Sequence, residues 1–340
     1  MNITVLGMGK TGHSVSCYLM DKGCKVTCWD RDSSKLEVIK KGIKCTGVLE
    51  GFFIPAVESD IKKAISEADF IFVNTLASGH KDIARLLKGR LSQSQKILIF
   101  NSNWGIMEFI QVLGSELTSK GIALAETGGM HIMTDLPEVG HCHIKKIKKR
   151  LSVSCYPKAK GEELIGLFQN IFPQFFLLES PILTSMDTSN PILHAPIALG
   201  GFSKIEAGVD HFFYKEGATP SIVRYIEKID SERLEVMRAM GVSGTSCLDI
   251  VNGAWNSNCD NMYDAIHLNY PTSKGPKSIE YRFITEDIPF GIVPIVKLGR
   301  EFGVKTPYSE LLVNMYSALM DRDYMDLGPT FKKEEVLKLK

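Results

Sequence analysis

The stretch Met1–Gly12, MNITVLGMGKTG, decides the fold. Asn2–Leu6 is a short apolar run that predicts a strand, and Lys10 begins an amphipathic pattern that predicts a helix to about Lys22. Between them, Gly7, Gly9 and Gly12 form G-x-G-x-x-G. In a strand–turn–helix context the first glycine permits the tight turn and the second lets a pyrophosphate approach the backbone. The third allows close helix–strand packing. The free N–H groups and dipole at the helix start then hold the anion. A second predicted strand, Cys24–Trp29, leads into Asp30, eighteen residues beyond Gly12, where a ribose-binding carboxylate is expected. That carboxylate tips the expectation towards NAD, since it repels a 2′-phosphate. Arg31 and Lys35 follow closely, and they read equally well as a phosphate-neutralising pair (hence NADP) or as a solvated turn.

Working outward, Phe70–Asn74 and Lys96–Phe100 read as further strands, and Lys81–Leu91 and Ile106–Lys120 as helices. Strands separated by helices imply βαβ units and a parallel sheet, an α/β Rossmann dinucleotide-binding domain. Ile122–Tyr156 reads as more strands and turns at the edge of that sheet. Asn74, Thr75, His80 and Asn101 follow two of the strands, at the carboxyl ends where open α/β sheets bind ligands. Each is a candidate for the nicotinamide half of a cofactor and equally a loop-forming polar residue. After about Ser180 long helical patterns replace strand signals. The clearest is Pro220–Met240, with Thr219 as N-cap, Gly241 past the end, and Ile222, Ile226, Ile229, Met237 and Met240 as an apolar stripe. The expected plan is therefore residues 1–180 as the Rossmann domain, followed by an all-α C-terminal domain over 181–340.

The 340 residues carry 40 basic and 39 acidic side chains, a net charge of +1. That balance creates no global field for nucleic acid or anionic membrane. Eight cysteines make no CxxC pair and fit no zinc spacing, so no metal is expected and they read as small apolar residues in a reducing compartment. No stretch is apolar enough to span a membrane and no signal peptide is evident, so a cytoplasmic location is expected. His141 and His143 could ligate a metal from one strand, but no third ligand accompanies them. The basic run Lys145–Arg150 reads as a solvated edge or turn, with lysines that discourage strand pairing.

In the second half, NPILHAP places His194, and EYRFITEDIPFGIVP places Arg282, Glu286 and Asp287. Together with the glycine fingerprint, AET at Ala125–Thr127, FYKEGATPSIV at Phe213–Val223, IDSER at Ile229–Arg233 and GVKTP at Gly303–Pro307, the chain resembles the octopine/nopaline (opine) dehydrogenases over nearly its whole length. The resemblance implies an NAD(P)-dependent enzyme that reductively condenses an amino acid with a 2-oxo acid such as pyruvate. It implies a catalytic His194 paired with Asp287, and Arg282 holding a substrate carboxylate. Arg282 and Asp287 can also be read as a structural ion pair, while Glu286 and Arg233 are expected to be structural. Phe283 departs from the family, standing where a tyrosine often follows the arginine, and the stretch after Glu126 matches only loosely.

Two other functions fit the same fold: a single-substrate reductase of the ketopantoate reductase or glycerol-3-phosphate dehydrogenase type, and a nucleotide sensor without catalysis. The intact set His194, Arg282 and Asp287 argues against the sensor. Small-molecule substrates are the expected partners, with a homodimer through exposed helical faces and a substrate cleft between the domains as further expectations.

Overall fold

The computed structural model describes all 340 residues. They form two compact units, Met1–Thr184 and Ser185–Lys340. The first is built on twelve strands: β1 (Asn2–Leu6), β2 (Lys25–Trp29), β3 (Ile43–Gly47), β4 (Gly51–Phe53), β5 (Ala56–Val57), β6 (Phe70–Val73), β7 (Lys96–Ile99), β8 (Ala123–Thr127), β9 (Ile132–Glu138), β10 (His141–Ile147), β11 (Leu151–Tyr156) and β12 (Phe175–Leu177). Eight of them make one sheet in the order β12-β11-β8-β7-β6-β1-β2-β5. Every pairing in it is parallel except β11 on β8. The chain leaves β1 towards β2 and returns on the far side at β6. Strand order therefore reverses between β1 and β6, and such a switch point is where doubly wound sheets open a crevice. β6 is buried at all four positions, as expected for a strand covered on both faces.

Two expectations change here. The segment 122–156 does not run wholly along the main sheet. β8 and β11 do, whereas β9 and β10 join β3 and β4 in a second sheet ordered β4-β3-β10-β9. β10 is interior over His141–Ile144, where it lies between β3 and β9, and the basic run begins just beyond the β3 pairing, with Lys145 bound to Asp135. The predicted helix 106–120 is two helices, Gly105–Leu113 and Ser115–Ser119, broken at Gly114, whose φ is +55°. An apolar period cannot register a left-handed glycine that resets the helix axis.

The second sheet lies against the helix Lys10–Asp21 and gathers three of the scattered cysteines. The sulfurs of Cys17, Cys45 and Cys142 all lie within 4.8 Å of one another, and all three residues are buried. They come from a helix and two strands, so no local spacing could reveal them.

The core of this unit also holds a histidine among aromatic rings. His131 stacks on Phe100 at 5.2 Å and meets the edges of Phe172 and Tyr18. Neither ring nitrogen has a hydrogen-bond partner, and burial pushes its pKa down to about 3. The unfolded chain binds this proton near the ordinary value of about 6.5. Neutral His131 therefore contributes stability that is complete above that pH and is lost as pH falls towards 3. His131→Phe is expected to flatten the fall in Tm between pH 6.5 and 4. Melting curves across that range check it, and a slope equal to wild type would refute the assignment.

The second unit is helical, with a single isolated bridge, Phe212 to Lys274. Its longest helix runs Pro220–Ala239, with the Thr219 hydroxyl accepting from the Ile222 N–H at 3.4 Å. Gly241 follows at φ +75°. Glu227 and Lys228 face solvent, but Glu232 does not. Its buried carboxylate accepts from the N–H groups of Tyr308 and Ser309 at 2.7 and 2.8 Å, capping the helix Pro307–Met320. Arg233 is 1% exposed and bound to Asp230, Asp187 and the carbonyls of Met186 and Thr245. It ties the long helix to two loops. No helix of either unit is long and apolar enough to cross a membrane.

Candidate functional site: a glycine loop and a histidine between two partners

In the first unit the loop after β1 carries the glycine string. Gly7 takes φ +94° and donates its N–H to the Trp29 carbonyl at 2.9 Å. A Cβ on Gly12 would stand 2.0 Å from the Gly7 oxygen, so this position admits no side chain. A Cβ on Gly9 would meet nothing within 4 Å, which is the open approach a pyrophosphate needs. No side chain caps the helix that starts at Lys10, so its leading N–H groups remain for an anion.

Asp30 is buried at the end of β2. Its Oδ2 accepts from the Met8 N–H at 2.7 Å and its Oδ1 from the Asp32 N–H at 2.9 Å. The carboxylate thus also holds the glycine loop, while Oδ2 retains a second lone pair for a ribose hydroxyl. Lys35 lies 3.4 Å from Asp30 Oδ1, whereas Arg31 is exposed.

Across the switch point, the side-chain amide of Asn74 and the Thr75 hydroxyl are buried without hydrogen-bond partners. Asn74 also meets the loop directly, since its carbonyl oxygen lies 3.0 Å from where a Gly7 Cβ would be. Buried polar atoms with no partner are costly, and a dinucleotide bound at this loop would supply one. The residues present therefore fit NAD or NADP. His80, by contrast, is fully buried at the head of the helix His80–Leu87. Its pKa is pushed down to about 4 by burial, and it packs beneath Gly105.

The loop after β7 holds Asn101, Asn103 and Trp104 at φ +66°, +50° and +67°. Asparagine tolerates this region but tryptophan rarely does, and such strain concentrates at functional sites. Asn101 donates its N–H to the Thr127 hydroxyl at 3.0 Å. Glu126 of the AET motif is fully buried, accepting from the Ile106 N–H at 2.8 Å and the Thr184 hydroxyl at 2.5 Å. It thereby pins the helix that follows the strained loop.

In the second unit His194 lies mid-way along the buried helix Asn190–Gly200. Its Nδ1 is 2.6 Å from Asp287 Oδ2 and its Nε2 is 2.8 Å from the Tyr214 hydroxyl. Asp287 immediately precedes a π turn, Ile288–Ile292, an irregularity frequent at functional sites. A Cβ on Gly291 would fall 2.3 Å from the Pro191 ring, so glycine there lets the π turn press against the histidine's helix. Phe283 stacks on the imidazole at 3.9 Å. Arg282 does not pair with Asp287; its ion-pair partner is Glu286 at 3.6 Å. Burial lowers the Arg282 pKa, but the Asp287 and Glu286 carboxylates outweigh it and hold the group above its ordinary value. Arg282 keeps a third of its side-chain surface exposed, while His194 and Asp287 are buried.

Two family descriptions match the chain. The N-terminus of NAD-dependent glycerol-3-phosphate dehydrogenase matches residues 2–136, and the alpha-helical domain of NAD/NADP octopine/nopaline dehydrogenase matches residues 177–320. The opine dehydrogenase of Arthrobacter sp. (strain 1C) is 29% identical over 97% of this chain and 93% of its own length. The chain is thus similar to opine dehydrogenases over nearly its whole length, and it carries the helical domain of the octopine/nopaline dehydrogenases. Among other relatives, the protein ocs of Agrobacterium tumefaciens (strain Ach5) is 24% identical over 82% of this chain and 78% of its own. The fold is shared with an octopine dehydrogenase solved with NADH and agmatine, at a TM-score of 0.80 and 16% identity over 94% of this chain and 90% of that one. It is shared too with yersinopine dehydrogenase solved with NADP+, at 0.77 and 12% identity over 100% and 97%.

Sequence reading alone missed two partners in this chain. Tyr214 lies in a quoted motif, yet nothing local shows its hydroxyl meeting an imidazole 20 residues away. His13 is buried within the first helix, with Nδ1 2.8 Å from the Gly9 carbonyl and Nε2 accepting from the Gly140 N–H at 3.1 Å. It ties the glycine loop to the β9–β10 turn, and burial lowers its pKa.

Proposed function

We propose that this chain is an NAD(P)H-dependent opine dehydrogenase that reductively condenses an amino acid or amine with a 2-oxo acid, and oxidises the product in reverse. The observation that carries the reading is the buried imidazole of His194 held between a carboxylate and a hydroxyl. Joining an amine to a 2-oxo acid requires an ammonium to lose a proton and a carbinolamine hydroxyl to gain one. A histidine can do both near neutrality. Asp287 fixes the tautomer by accepting from Nδ1–H, which leaves Nε2 as the exchanging nitrogen and supports the imidazolium when it forms. Arg282 orients the 2-oxo acid by its carboxylate, for which a guanidinium fork is suited. Gly7, Gly9, Gly12 and Asp30, with Thr75 and Asn101 nearby in the fold, would hold a reduced dinucleotide, whose nicotinamide would be the source of hydride. Arg31 would meet a 2′-phosphate if NADP is used.

The reading extends to a homodimer. Leu311, Met315 and Leu319 form an exposed apolar stripe at four-residue spacing on the helix Pro307–Met320, and a second copy would cover it.

Purified protein given NADH or NADPH with a panel of amines and 2-oxo acids is expected to consume cofactor only when both substrate classes are present. Mass spectrometry should then find a product equal to their sum minus water plus two hydrogens. Consumption with a 2-oxo acid alone, yielding a hydroxy acid, would replace this reading with a single-substrate reductase.

A further inference from the structure

We propose that Tyr214 is a catalytic residue, the group through which protons pass between the His194 imidazole and the condensing substrates. The inference rests on the condensation chemistry above and assigns a step within it. Both imidazole nitrogens are already engaged by this chain, Nδ1 by Asp287 and Nε2 by Tyr214. A substrate atom can reach Nε2 only by displacing the Tyr214 hydroxyl or by exchanging protons through it. Displacement is opposed by packing. The Tyr214 ring stacks on Tyr270 at 4.3 Å and 19°, and Phe213 closes on it edgewise at 5.0 Å. Phe283 covers the imidazole itself at 3.9 Å.

A phenol hydroxyl is donor and acceptor at once, so it can receive one proton while releasing another. Burial pushes the Tyr214 pKa far up, with Tyr270 and Asp287 adding to the effect and Arg282 opposing it. The hydroxyl therefore stays neutral and serves as a conduit rather than as a base. The influence of Arg282 also puts the proposed carboxylate anchor within electrostatic reach of the same hydroxyl.

When the carbinolamine loses water, the imidazolium Nε2–H bond breaks as a new O–H bond forms on Tyr214. The original Tyr214 proton passes to the carbinolamine oxygen, and the C–O bond breaks with its electron pair leaving on water. The nitrogen lone pair closes the C=N bond. Activation of the ammonium runs the relay in reverse: its proton goes to Tyr214 as the tyrosine proton goes to Nε2. Tyr214 is unchanged after each passage.

The test is single-turnover condensation by wild type, Tyr214→Phe and His194→Asn, with rates measured across mixtures of H2O and D2O. Wild type should give a bowed dependence on deuterium fraction, the signature of two protons moving together. Tyr214→Phe should lose about a hundredfold in rate, with the KM for the 2-oxo acid within about twofold and the bow gone. A linear dependence in wild type would overturn the relay whether or not the variant folds. So would a Tyr214→Phe enzyme with an unchanged rate, or one slowed with its bow intact, which would leave Tyr214 merely positioning the imidazole. Absence of any condensed product from wild type would instead strike the functional reading itself.

Discussion

His194→Asn is expected to lower kcat for reductive condensation by about a thousandfold, with dinucleotide affinity unchanged. Asparagine retains a short side-chain donor to satisfy Asp287, whose carboxylate is buried and would otherwise be left unpaired at considerable cost. What it lacks is a ring nitrogen able to take up and return a proton. The loss should appear in kcat and in kcat/KM together, since proton transfer is made only on the way to the transition state. Fluorescence titration with NADH would report on the first unit, whose residues the substitution does not alter. A kcat within about tenfold of wild type would remove the imidazole from the chemistry and leave His194 as a hydrogen-bonded core residue.

The second large effect is expected at Gly12. A side chain at this position begins 2.0 Å from the Gly7 carbonyl oxygen, so the loop must move to admit it. The loop is not free to move. Gly7 is tied to Trp29, and Met8 to Asp30, by hydrogen bonds of 2.9 and 2.7 Å. Gly12→Val must break one of these ties or push the helix away from β1. Overpacking of this kind costs roughly 3 kcal/mol, and the shifted loop no longer offers its N–H groups to a pyrophosphate. NADH and NADPH should each bind about a hundredfold more weakly or worse. A Kd within about threefold of wild type, by the same titration, would show that no dinucleotide phosphate lies against this loop. The two variants separate the units: one removes proton transfer without touching cofactor binding, and the other does the reverse.

Much of this molecule was legible in its residues. β1, the glycine turn and the first helix follow from twelve contiguous positions, because strand period, turn glycine and helix start are all local properties. The long helix Pro220–Ala239 was visible for the same reason, through its cap, stripe and terminal glycine. His194, Arg282 and Asp287 were singled out through motif order, and the structure brings His194 onto Asp287. Arg282 was expected either to hold a carboxylate or to pair with Asp287; its partner within the chain is Glu286. The second sheet was not legible because strands of either sheet share one composition, and only the pairing of β10 with β3 and β9 separates them.

By itself, then, the order of residues determined what each short segment would become and which side-chain types were present for chemistry. The tertiary structure alone decided which of them meet: Tyr214 on His194, Asp287 on the same ring 93 residues away, His13 beneath the glycine loop, and three cysteines where one helix meets two strands. The physical reason is range. Backbone preference and hydrophobic period act over a few residues, whereas a hydrogen bond between buried side chains exists only where packing of distant segments leaves the two atoms about 3 Å apart.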